Sequence, residues 1–173
     1  MICEKLDSQN WCLSFPEAEA VFIINILARL GRHYQEDLDE MSPALRAYWQ
    51  GPLAHGEVTD KKALKESEEV LSEVRTELRS ERLNLVENWI REFEIAEKRD
   101  PWAVEVSNEE RDEFVSMLND RRLVVAFEMG ITEEEMTMNP SEIVDETRRH
   151  AVLEIDILGH FILVILGPQI HRP

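Results

Sequence analysis

Apolar residues recur at spacings of three and four along most of this chain, and only its first fifteen residues alternate in the manner of a strand pair. Between residues 16 and 38, Ala20, Ile23, Ile24, Leu27, Leu30 and Tyr34 share one helical face. Ser14 and Glu17 stand at capping-box spacing before it, with Pro16 near the first turn. Residues 42–60 hold Pro43, Gly51, Pro52 and Gly56, which predicts a short helix followed by a loop. From Asp60 to about Arg99 neither Gly nor Pro occurs, and Leu64, Leu71, Val74, Leu78, Leu85, Trp89 and Phe93 mark one long helical stripe. Pro101 breaks the pattern. Ser107 and Glu110 then cap a helix that stops at Gly130, Thr132 and Asn139 begin two further segments, and the last helix runs to Leu166.

This pattern predicts a mainly α protein with a single domain over residues 1–173, a helical bundle with two central apolar helices and a short N-terminal β-hairpin laid against it. With the hairpin turning at Asp7–Asn10, Leu6 faces Trp11 and Cys3 faces Ser14. From Leu123 to Met129, and from Ile157 onward, apolar residues point nearly all round their helices, which is the mark of buried helices. The long stripe ends in Trp89 and Phe93, and it calls for a covering partner if the 60–99 helix projects from the bundle. Its charges, Glu73 and Glu77 among Arg75, Arg79 and Arg82, read as a solvated face with i,i+4 pairs.

One stretch resists that simple division. Asn119, Asp120, Arg121 and Arg122 sit within the apolar run Phe114–Met129, where the helix enters the core. Charge there is costly unless paired. Glu154, Asp156 and His160 on the final helix are candidate partners, and the spacing of Asp156 and His160 lets the carboxylate orient the imidazole. The seven residues are read as one polar network fixing the register of the two helices. The alternative is a cleft in which the arginines grip a carboxylate or phosphate and His160 transfers a proton.

Composition narrows the function. With 36 acidic and 19 basic residues the formal charge is -17, which disfavours nucleic acid and anionic membrane surfaces as partners. The most apolar stretch, 157–170, is shorter than the roughly 20 residues of a membrane-spanning helix. Two cysteines, Cys3 and Cys12, in a chain whose start lacks a signal-peptide profile point to a reducing cytoplasm and to no structural disulfide. No phosphate-binding glycine loop, H-E-x-x-H or C-x-x-C occurs, so neither cofactor nor metal is expected. Glu146, His150 and Glu154 have the nearest approach to ligand spacing, and read as a surface charge cluster. Ser14, Ser42 and Ser107 read as helix caps, and the four tryptophans as core or interface.

Three blocks, 14–27, 114–131 and 150–167, resemble in order and spacing a bacterial domain-of-unknown-function family, number twenty-seventeen, found widely in actinobacteria. Pro16, Glu17 and Ala18 match its helix start, and Asn119, Asp120, Arg122 and Leu123 match its central Asn-Asp-x-Arg-Leu. Arg121 departs from the family's apolar residue at that place, and the long charged helix matches poorly. The resemblance implies a small cytoplasmic bacterial protein with no established catalytic residues, often encoded beside the adaptor of the Clp protease. A non-catalytic module that binds a protein partner or forms a homo-oligomer is the reading carried forward, against a small-molecule site or enzyme at the Arg121, Arg122, Asp156 and His160 constellation.

Overall fold

A computed structural model describes residues 1–50, 61–98 and 101–167, without the side chains at 47, 48, 50, 61–69 and 72. The loop expected at 51–60, the side chain of Leu64 and Pro168 lie outside the described residues. The chain is mainly α. Strands β1 (Ile2–Lys5) and β2 (Asn10–Phe15) lead into helices α1 (Glu17–Gln35), α2 (Pro43–Gln50) and α3 (Lys61–Ala96). Strand β3 (Trp102–Ser107) follows, then α4 (Asn108–Met129), α5 (Glu133–Thr137), a 3-10 turn at Pro140–Glu142, and α6 (Glu146–Leu166).

The N-terminal hairpin forms with a register one residue away from the expected one. Cys3 faces Leu13 and Lys5 faces Trp11. The turn sets this register: the Asp7 carboxylate accepts from the N–H groups of Gln9 at 2.7 Å and Asn10 at 2.8 Å, while Leu6 N–H donates to the Asn10 carbonyl at 2.9 Å. Cys3 therefore joins the core side of the sheet, Cys12 the other side, and both are free thiols.

Strand β3 is the main departure from expectation. Residues 102–107 read in sequence only as a break between helices, yet they pair antiparallel with β2, Trp11 opposite Val106 and Phe15 opposite Trp102. The alternation is present in W-A-V-E-V-S: Trp102, Val104 and Val106 are buried while Glu105 is exposed. The order β1-β2-β3 gives a sheet whose inner face, Trp11, Leu13, Phe15 and these three, covers one side of the core.

Against that face pack Leu27 and Leu30 of α1, Trp89 and Phe93 of α3, Phe114 and Leu118 of α4, and Phe161 of α6. Phe93 meets Phe15 edge-on at 5.1 Å between centroids, and Trp89 stacks on Phe114 at 4.1 Å. The aromatic end of the long stripe is thus core and needs no partner to cover it. The outward apolar residues described on α3 are Val70, Val74 and Leu78 toward its start and Ile95 at its end.

All-round apolar character did not bring all-round burial either. α4 packs along α6 through Val125, Ala126, Ala151 and Ile155, but Phe127, Ile157, Leu163 and Leu166 face outward. The two helices bury one side each because the sheet and α1 cover only one side of the pair.

Caps set the helix ends. Ser107 with Glu110, and Thr132 with Glu135, form complete capping boxes, Gly130 closes α4 at φ 57, and Asp145 caps α6. Ser14 does not cap α1. It lies in β2, paired with Ile2 and Ala103, and the N-cap of α1 is Pro16. Arg148 ties the end of α4 to α6, donating to the carbonyls of Met129 at 2.8 Å and Gly130 at 3.0 Å and pairing with Glu135.

Candidate functional site

The polar tetrad of α4 winds around its helix, so its four members reach different neighbours. Asn119 is exposed. Asp120 points inward, where Tyr34 of α1 donates its hydroxyl at 2.6 Å and Arg82 of α3 forms an ion pair with it. One carboxylate therefore joins three helices. Arg82 also donates to the Ser116 hydroxyl at 2.9 Å.

Arg121 reaches α6. Its Nε donates to Glu154 at 2.6 Å, and Arg29 of α1 approaches the second oxygen of that carboxylate at 3.4 Å. Arg122 lies against Gly159, where an added Cβ would come within 3.5 Å of the guanidinium. Its Nε is buried and has no hydrogen-bond partner among the described residues.

Asp156 and His160 are not part of this network. Glu154 and Asp156 are two positions apart, and residues at that spacing face different sides of a helix. Glu154 turns to α4, whereas Asp156 and His160 are exposed in a largely apolar groove of about 510 Å³ beside Ala18 and Phe22 of α1. The seven sequence candidates thus divide into an internal group, Asp120, Arg121, Arg122 and Glu154, and an outer group, Asn119, Asp156 and His160. Glu154 is engaged by arginines, Glu146 and His150 are exposed, and no group of three His, Cys, Asp or Glu among the described residues is arranged to hold a metal ion.

The structure adds a second buried polar group. His33 near the end of α1 accepts at Nε2 from the indole N–H of Trp49 at 2.8 Å. Burial, with the nearby charges of Arg79 and Arg121, lowers its pKa to about 4. The neutral ring then carries its proton on Nδ1, 3.6 Å from the Glu36 carboxylate. Arg79 of α3 donates to the carbonyls of His33 at 2.9 Å and Glu36 at 2.5 Å, closing the C-terminus of α1. Burial lowers the pKa of Arg79 too, and its guanidinium lies 5.6 Å from the centre of the Trp49 ring. Two residues read as part of a solvated face, Arg79 and Arg82, are therefore internal cross-links. Their spacing of three next to buried Val86 carried that signal.

Beside His33, a cleft of about 400 Å³ opens between α1 and α4, lined by Arg29, Arg32, Glu36, Arg121 and Glu128. Its three arginines face two carboxylates, but Arg29 and Arg121 already share Glu154. Burial and the neighbouring Glu36 and Glu154 push the Glu128 carboxyl above its ordinary value, against the pull of Arg121. The expected polar pocket between the central helices is therefore displaced to the α1–α4 side, and its best-placed arginine is already paired.

Among the described residues no helix is long and apolar enough to cross a membrane. No curated protein and no solved structure matches the chain. The family model described as a domain of unknown function, DUF2017, matches residues 11–161, running through the long α3, the first two resembling blocks and most of the third, and the chain belongs to that family.

Proposed function

We propose that this protein is a non-catalytic interaction module that works bound to another protein chain. The observation that carries the reading is the outer side of α6. Leu153, Ile157, Leu163 and Leu166 face outward there, Leu163 with 71% of its surface exposed, on a helix whose other side is core. Exposed apolar residues gathered on one element mark contact surfaces more often than scattered ones do. The polar residues that would serve an enzyme favour the same reading from the other direction. Asp120, Arg121 and Glu154 are engaged with one another or with Tyr34, Arg82 and Arg29, and His33 is held neutral with one nitrogen occupied. A place in protein turnover, as the family resemblance implies, suits a module of this kind.

Native mass spectrometry of untagged protein from its own cells tests this reading. A stoichiometric protein complex or homo-oligomer, lost in the double variant Leu163→Asp, Leu166→Asp, is the expected result. A bare monomer, or one holding only a small molecule, would overturn it.

A further inference from the structure

The sheet ends at β3, and a groove of about 520 Å³ runs along that end, between α3 and the first turns of α4. Val104, Glu105 and Val106 all line it, although successive side chains of a strand point to opposite faces. Only the edge of a strand presents three successive residues to one space.

The pairing pattern says which backbone groups the edge offers. Asn108 N–H donates to the Gln9 carbonyl at 2.9 Å, so the pairs two and four residues further on, Trp11 with Val106 and Leu13 with Val104, exchange the ladder bonds. The N–H and C=O groups of Ala103, Glu105 and Ser107 then point away from β2. Ser107 agrees with this parity, because its N–H is taken by the Glu110 carboxylate at 2.7 Å in the capping box. Those of Ala103 and Glu105 have no hydrogen-bond partner among the described residues. A bare strand edge beside a helix is the geometry to which an extended segment adds as a further strand.

The walls indicate what kind of segment. The half-buried Leu85 and the exposed Ile95 supply apolar surface from α3, with the buried Trp89 forming the floor between them. Glu92, Glu105, Glu110 and Glu113 bring four carboxylates from three elements, with Arg91 the one cation in the lining among the described residues. Burial, then Glu109 and Glu110, hold the Glu113 carboxyl above its ordinary value, so the negative charge there is crowded. The whole chain carries -17, which makes another copy of it a poor occupant.

We infer that this groove takes an extended, basic segment of a partner protein as a fourth strand on β3, its apolar side chains toward Leu85 and Ile95 and its Lys or Arg side chains toward the carboxylates. The inference rests on the interaction reading above and adds to the α6 side a second surface with its occupant. Backbone bonding to Ala103 and Glu105 provides the attachment, and charge selects the segment.

A random nonapeptide library displayed on phage and selected on the folded full chain is the test. The enriched peptides should alternate Lys or Arg with apolar residues, and a synthetic member should shift the amide resonances of Ala103 and Glu105. Affinity should fall by about tenfold or more in Glu92→Lys, Glu105→Lys, where like charge now meets the peptide. Ala103→Pro removes only an outward N–H, so it should abolish binding while the unfolding midpoint stays close to that of the parent. Failure of any peptide to enrich, enrichment of acidic or uncharged peptides, or shifts confined to α6 would each overturn the groove proposal. An assembly that survives Ala103→Pro but is lost in the α6 double variant defeats the groove alone, whereas the absence of any assembly defeats the interaction reading beneath it.

Discussion

The charges that enter the bundle around α4 and those that line the edge of β3 are similar in kind and opposite in circumstance. Around α4 each carboxylate has a cation. Asp120 has Arg82, Glu154 has Arg121 and Arg29, and α1, α3, α4 and α6 are cross-linked as a result. Along β3 carboxylates from α3, β3 and α4 converge, with the exposed Arg91 alone among the described residues to offset them. Burial explains the difference. A charge taken from water without a partner is strongly destabilising, so internal positions tolerate only pairs, while a surface groove tolerates an imbalance that a second molecule can correct.

The comparison is broken most directly at Asp120. Asp120→Ala removes the acceptor from both Tyr34 and Arg82 inside the bundle and should cost about 3–4 kcal/mol, read from the urea midpoint at unchanged slope. A loss below about 1 kcal/mol, the range of surface pairs, would put this carboxylate in the same class as those of the groove. Next in size is a pH effect at His33. The unfolded chain protonates this residue near 6.5 and the folded one only near 4. Its contribution is thus complete above pH 6.5 and declines as pH falls toward 4, by about 1.4 kcal/mol per unit. Glu113 and Glu128 have raised pKa values and act in the opposite sense, so the difference between wild type and His33→Gln isolates the histidine. A flat difference across that window would place His33 in contact with water.

Smaller effects sharpen the contrast within the tetrad itself. Arg122 has a buried, unpaired Nε, so Arg122→Met should change stability by less than about 1 kcal/mol in either direction, unlike Asp120→Ala. Gly159→Ala places a methyl at ordinary contact distance from the Arg122 guanidinium and should stabilise α6 by about 0.5–1 kcal/mol, measurable as a raised Tm. A loss there instead would mean that α6 and Arg122 meet more closely than 3.5 Å.

The sequence made the helices legible because their apolar periods are long and their caps are chemically distinct: Ser107 with Glu110, Thr132 with Glu135 and Gly130 act as their residue types imply. It hid β3 because six alternating residues between two strong helices are easily taken for a connection, and because a strand declares itself through a partner about 90 positions away in the chain, as Phe15 opposite Trp102 and Asn10 opposite Ser107. The pairing of Asp120 and Arg121 followed from the cost of buried charge, but the partners of Asp120, Tyr34 and Arg82, sit on helices whose approach no local pattern reveals. Grouping Asp156 with Glu154 failed for a simpler reason, since nearness in sequence is not nearness on a helix surface. Phe127 and Leu163 were misplaced because hydrophobicity says that a side chain gains from leaving water, without saying that neighbours exist to cover it.

Helix α3 carries one more implication. Its 36 residues extend for about 54 Å, whereas a compact domain of this length is only about 40 Å across. The part holding Trp89 and Phe93 is anchored in the core, while Val70, Val74 and Leu78 face solvent. One unbroken rod thus spans two regimes of local opening. Its backbone amides should exchange with deuterated water along a gradient, fast toward Lys61, and near Phe93 only when the whole domain comes apart.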